Sequence, residues 1–297
     1  MYDKKDVIIF GGDSFTWGEG LELYLDTPKW INERSKLNSW SELYQKQDYL
    51  SQTFRESNRF PSIVSNYFNV DPRVFAHNGG QFETPIIHIE KNIQNNVGYS
   101  PNKIKCIILQ FTTIQRMSLH LDVNCKCKFC ATTGFEKPWN VYTKYIYRHL
   151  DNNTITNIDY WALDWLEKNE KIPYKNLDYG TLFQQIDGWF KPMFVRNLNS
   201  FIENYVSKWE KIAPVYFINS WDEHSSNVID ELPEFKKRMI PLLGFDGNYY
   251  TNYSEWENTF EHTRIVNEFP LTYNAHPTLL QHRYIADSII NHLDGKK

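Results

Sequence analysis

Three groups of residues in this chain have chemistry to offer. The first is Ser14, at the end of Val7-Ile8-Ile9-Phe10-Gly11-Gly12-Asp13-Ser14. A short apolar run closed by two glycines reads as a buried parallel strand stopping at a tight turn. In open α/β sheets ligands collect outside that carboxyl edge. The second is His276, in Asn274-Ala275-His276-Pro277-Thr278. Pro277 suits the first turn of a helix, so His276 belongs to the loop just ahead of it. Histidine is the side chain most readily used as a base near neutral pH, and a serine beside an imidazole is the minimal activated nucleophile for acyl transfer.

The third group is a cluster of thiols. His120, Cys125, Cys127 and Cys130 fall within 11 residues. Thiolates at every second or third position of a loop can wrap a tetrahedral zinc ion, with His120 or His149 as fourth ligand. Free thiols or a disulfide are the plain alternatives. A closed Cys/His site would be structural, so no cofactor for catalysis is expected. Cys106 belongs to a strand, His77 could line a pocket, and His282 should pack or cap the last helix.

These residues need elements to carry them. The apolar runs predict strands at Val7–Phe10, Val70–Ala76, Ile104–Phe111 and Pro214–Asn219. Helical spacing appears over Phe15–Leu25, Phe60–Phe68, Thr84–Asn95, Phe190–Ile212 and Pro277–Leu293. Thr27–Arg59 reads as a polar and aromatic insertion, and Glu223–Asn267 as irregular. From 117 to 187 periodicity fades over too long a stretch for a plain loop. It reads as an aromatic-rich cap inserted into a single domain spanning 1–297. Strands alternating with helices predict an α/β fold with a parallel sheet and right-handed crossovers.

Composition narrows the function classes. A net charge of -4 with scattered Lys and Arg leaves no electrostatic footprint for nucleic acid. No stretch approaches the ~20 apolar residues that span a bilayer, so no membrane partner is expected. The first residues lack the apolar core of a secretory signal. The expectation is therefore a cytoplasmic protein, or one carried out by another route such as inside a virus particle. Aromatic residues reach 16%, which points either to a ring-filled core or to a surface that stacks on sugars. The oligomeric state is not written in the sequence.

Taken in chain order, these blocks resemble the SGNH, or GDSL, hydrolase superfamily. Gly12-Asp13-Ser14-Phe15-Thr16-Trp17-Gly18-Glu19-Gly20 is similar to the block that carries the nucleophile, and Asn78-Gly79-Gly80 to the one whose glycine gives an oxyanion-hole N–H. His276-Pro277 with Gln281-His282 and Ile285-Ala286 looks like the last block and its helix. The resemblance implies a flavodoxin-like three-layer α/β/α sandwich. It also implies a serine esterase in which Ser14 attacks the acyl carbon and His276 relays the proton. The backbone N–H groups of Ser14 and Gly80, with the Thr112 hydroxyl, would hold the oxyanion.

Two positions depart from the family pattern. The third block usually ends in Gly-x-Asn-Asp, and here reads Gln110-Phe111-Thr112-Thr113, with Arg116 shortly after, as in some phage-type relatives. The family's acid, three residues before the histidine, is Tyr273 here. Asn274 is the nearest polar substitute, and Asp222 another acid that could approach. The expectation is thus a Ser-His dyad or incomplete triad acting on an ester, with O-acetylated carbohydrate the favoured substrate. The alternative is a non-catalytic glycan-binding or virion protein that keeps the fold.

Overall fold

Strand β1 (Val7–Gly12) is buried at every position, as expected for a parallel strand covered on both faces. The computed structural model describes residues 6–27, 32, 36, 48–76, 83–95, 101–111, 198–219, 232–261 and 276–295. Within them β1 pairs in parallel with β2 (Asp71–Ala76) on one side and β3 (Ile104–Phe111) on the other. β4 (Val215–Asn219) then pairs in parallel with β3, giving the order β2-β1-β3-β4. This is the flavodoxin-like order, which reverses direction between β1 and β3. The crevice outside the carboxyl ends of those two strands is therefore the switch point at which such folds bind ligands.

Side chains alternating across the sheet build a layer on each face. On one face Ile8, Phe10, Cys106, Ile108 and Ile218 pack with α3 (Phe60–Tyr67) and α8 (Leu279–Leu293) through Phe60, Val64, Ile285 and Ile289. Toward the other face, α4 (Glu83–Asn95) brings Pro85 and Ile89 against Gly11, so closely that a Cβ there would lie 3.0 Å from Ile89 Cδ1. A π-helical turn (Ile202–Val206) running into α5 (Ser207–Trp209) covers this side with Phe201 and Trp209. Phe217 stacks on Phe235 of α6 (Pro233–Lys236) at 4.6 Å between centroids. The Trp209 indole N–H donates to Glu90 Oε2 at 2.7 Å. Much of the aromatic excess in the described residues is thus core: Trp209, Trp256, Phe10, Phe60, Phe111, Phe217, Phe235 and Phe260 are fully buried.

The four strands and the helices at α3, α4 and α8 follow the sequence reading, with β3 on the same residues. The helix expected over Phe190–Ile212 is described only from residue 198 and is interrupted by the π-helical turn Ile202–Val206. Three further stretches differ. The helix expected over Phe15–Leu25 is only α1 (Ser14–Trp17), because Gly18 (φ 83°) and Gly20 (φ 89°) turn the chain left-handed before a 3₁₀ turn at Leu21–Tyr24. Within the expected insertion, α2 (Tyr49–Asn58) is started by a reciprocal cap between Asp48 and Ser51. The stretch read as irregular holds α6, a two-residue hairpin of β5 (Leu242–Leu243) and β6 (Tyr249–Tyr250), and α7 (Tyr253–Asn258). Strands of two residues are too short to show a period.

By compactness the chain divides into Met1–Thr112 with Phe201–Lys297, and Thr113–Ser200. The sheet and both of its faces belong to the first unit. The cap expected over 117–187 lies outside the described residues.

Candidate active site

Ser14 stands where the sequence reading puts it, as the first residue of α1 beyond the end of β1. Asp13 caps this helix by accepting from the Phe15 N–H at 2.9 Å. The tight turn requires Gly12, since a Cβ there would lie 2.2 Å from Thr16 Oγ1 and 2.6 Å from Gln110 Oε1.

Gln110 ties the turn that carries Ser14 to β3. Its Oε1 accepts from the Thr16 hydroxyl at 2.6 Å, the Thr16 N–H at 3.1 Å and the Asp13 N–H at 3.3 Å. Its Nε2 donates to Asp13 Oδ1 at 2.8 Å. All four partners converge on one buried side chain, so the loop carrying Ser14 is held rigidly at the sheet edge.

His276 reaches the site from the opposite end of the chain. Pro277 and Thr278 follow it, and Thr278 caps α8 in a reciprocal box with Gln281. The Phe15 ring meets the imidazole edge-on, 5.5 Å between centroids, which limits the tilt of the ring. His276 Nε2 then lies 2.9 Å from Ser14 Oγ. This is hydrogen-bond reach for transfer of the hydroxyl proton.

A carboxylate that the sequence reading assigned no role shares that nitrogen. Glu19 Oε2 lies 3.0 Å from His276 Nε2, and the Glu19 side chain is 2% exposed. The turn after α1 returns Glu19 to the nucleophile, with its N–H donating to the Ser14 carbonyl at 3.0 Å. Glycines at positive φ on either side of Glu19 make that return possible. The local signal was present as Gly18-Glu19-Gly20, but only the folded turn points the acid at the histidine.

A second buried acid lies close by in sequence. Glu22 is fully buried, and burial pushes its carboxyl above the ordinary carboxylate range, with the neighbouring Glu19 adding to the rise. Hydrogen bonds from its own backbone and Arg55, whose Nη1 is 3.7 Å from Glu22 Oε1, pull in the other direction. The Arg55 guanidinium also lies over the Trp17 ring at 4.4 Å. His282 of α8 is wholly buried. It accepts from the Phe60 N–H through Nδ1 at 3.3 Å and stacks on the Phe60 ring. Burial, with His276 and Arg59 adding to it, lowers its pKa to about 3. It is a neutral packing residue, as expected of it.

The remaining candidates lie outside the described residues. These are Gly80, Thr112 and Asn274 for the oxyanion hole and imidazole, Asp222 and His77, and Cys125, Cys127, Cys130, His120 and His149 for zinc. Among the described residues no group of three or more His, Cys, Asp or Glu could hold a metal ion. Cys106 is a buried free thiol on β3, pushed up to about 12 by burial and so inert at neutral pH. No described helix is long and apolar enough to cross a membrane.

An α/β sheet of flavodoxin-like order, with a serine at the end of β1 in contact with a histidine just before the last helix, defines an SGNH-like fold. No family model and no curated protein matches the sequence. Among solved structures, the chain is similar to the acetyl xylan esterase Est2A from the rumen bacterium Butyrivibrio proteoclasticus. That match has 11% identity and a TM-score of 0.45, covering 100% of this chain and 65% of that one. A carbohydrate esterase matches with 15% identity and a TM-score of 0.42, covering 100% of this chain and 70% of that one. A putative lipolytic protein of the G-D-S-L family from Desulfitobacterium hafniense has 9% identity and a TM-score of 0.33, covering 87% of this chain and 98% of that one. The chain thus spans about two thirds of the length of the two esterases. The likeness is in the course of the chain; what the site does rests on its own geometry.

Proposed function

We propose that this protein is a serine esterase with Ser14 as nucleophile and His276 as general base. The carrying observation is the 2.9 Å separation of Ser14 Oγ and His276 Nε2, made by residues at opposite ends of the chain. With the proton of the neutral imidazole on Nδ1, the Nε2 lone pair takes the Ser14 hydroxyl proton as Oγ bonds to the acyl carbon. Collapse of the tetrahedral intermediate expels an alcohol, which leaves with the proton from Nε2. Water then hydrolyses the acyl-enzyme by the same route in reverse. The Ser14 and Gly80 N–H groups and the Thr112 hydroxyl are the proposed oxyanion donors, and preorganised donors of this kind are worth ~10²–10³ in rate each.

O-acetylated carbohydrate is the proposed substrate class, on the ground of the Trp and Tyr residues abundant in the stretch 117–187. A structural zinc at His120, Cys125, Cys127 and Cys130 is supported by their spacing alone.

A short-chain ester such as p-nitrophenyl acetate, hydrolysed by wild type and by Ser14→Ala, tests the reading. Loss of all turnover above background in Ser14→Ala is the expected result. Equal rates in the two proteins would leave the non-catalytic glycan-binding reading in its place.

A further inference from the structure

The family pattern puts its acid three residues before the histidine, where this chain has Tyr273. The geometry points to a replacement: we infer that Glu19 is the catalytic carboxylate of this site, acting directly on His276 Nε2. The inference rests on the esterase reading above.

Two placements support it. Glu19 Oε2 is 3.0 Å from Nε2, the atom that must gain and lose the proton, and the side chain is shut away from solvent. The turn that holds it there is purpose-shaped, with Gly18 at φ 83°, Gly20 at φ 89° and the Glu19 N–H bound to the carbonyl of the nucleophile itself. Nucleophile and acid are thus carried on one rigid loop, five residues apart, and the histidine is brought to both.

The chemistry follows from sharing one nitrogen. As Ser14 Oγ bonds to the acyl carbon, its proton passes to Nε2 and the carbonyl electron pair moves to oxygen. The imidazolium so formed has the Glu19 carboxylate 3.0 Å from Nε2 in a buried site, where the opposite charge stabilises it. On collapse the same proton goes to the departing alkoxide oxygen, and Glu19 stays ionised throughout. A triad acid approaches the imidazole from Nδ1 and fixes its tautomer. Glu19 instead approaches Nε2, so it stabilises the charged ring and disfavours the lone pair that the base step needs. The other charged or titratable groups in this neighbourhood are Glu22 and Arg55, from the 3₁₀ turn and α2, with His282 on α8 and Arg59 between α2 and α3.

The test is the pH profile of kcat/KM for p-nitrophenyl acetate in wild type, Glu19→Gln, Glu19→Asp and Ser14→Ala, with melting temperatures alongside. Glu19→Gln should lose roughly 10²-fold or more in kcat/KM. The acid limb of its profile should also move, because a charge 3.0 Å from Nε2 is gone. Glu19→Asp keeps the charge and should recover part of the loss. A folded Glu19→Gln with wild-type kcat/KM and an unmoved acid limb overturns the role of Glu19 while leaving the esterase reading intact, provided Ser14→Ala is dead. If Glu19→Gln melts early, the comparison passes to Glu19→Asp: equal loss in both variants, with the acid limb unmoved, overturns the role. An active Ser14→Ala overturns both readings.

Discussion

Gln110 donates through Nε2 to Asp13 Oδ1 at 2.8 Å, across the carboxyl ends of two neighbouring strands. The register places Gly11 opposite Leu109, so the next residues, Gly12 and Gln110, meet where both strands end. Here a long amide fills the space that Gly12 leaves open and fastens the turn that carries Ser14.

Replacing that amide by an apolar side chain should therefore loosen the turn that carries Ser14. Gln110→Leu removes the acceptor of the Asp13 N–H and of the Thr16 N–H and hydroxyl, all of them buried. Each buried polar group left unmet costs about 1–3 kcal/mol, and the three are not additive. The expected loss is about 2–4 kcal/mol of unfolding free energy in urea. Ester turnover at pH 7 should fall with it, because Ser14 sits on the loosened loop. Unchanged stability would show that the network adds nothing beyond packing.

Glu22 and Arg55 should respond to mutation with opposite signs of consequence. The charged form of Glu22 is disfavoured mainly by burial, so its proton affinity is higher folded than unfolded. The sign follows from linkage: as pH rises above the unfolded carboxyl value, near 4.5, ionising Glu22 costs stability. At neutral pH Glu22→Gln removes that cost and should leave stability within about 1 kcal/mol of wild type, or raise it. Arg55→Met takes a counter-charge from beside the buried Glu22 carboxylate and a guanidinium from over the Trp17 ring, and should lose about 3–5 kcal/mol. Glu22→Gln added to Arg55→Met should return part of that loss in a double-mutant cycle.

His282 should make the fold acid-sensitive. Its folded pKa of about 3 lies below the ordinary 6.5, so the unfolded chain binds the extra proton between those values. The stability held by the neutral ring is complete above pH 6.5 and is lost progressively as pH falls from there toward 3. By pH 5.5 this one group removes ~1.4 kcal/mol. The measurement is urea unfolding at pH 7.5 and pH 5.5 for wild type and His282→Gln. Wild type should lose that much more than the variant over the interval; equal losses would mean that His282 is protonated in the fold.

Much of this site can be read along the chain. The apolar runs of β1 and β3, the glycines that end β1, and the His-Pro step before an amphipathic helix are local patterns with local causes. They locate Ser14 and His276 as candidates. The hairpin of β5 and β6 left no such trace, because two residues make no period. α2 left a faint one, the capping pair of Asp48 and Ser51.

What acts on the nucleophile is decided elsewhere. Gln110 is 97 residues from Asp13, and His276 is 262 from Ser14. Their contacts exist only once a parallel register and a crossover bring strand ends together. Glu19 is the instructive case, since it is local in sequence and still invisible there. Whether an acid between two glycines faces solvent or a histidine depends on the turn the glycines adopt. That turn is settled by what packs above it. The sequence by itself determined the four strands of the parallel sheet and the candidates Ser14 and His276; only the tertiary structure decided which side chains hold them, because hydrogen bonds between distant residues have no period to read.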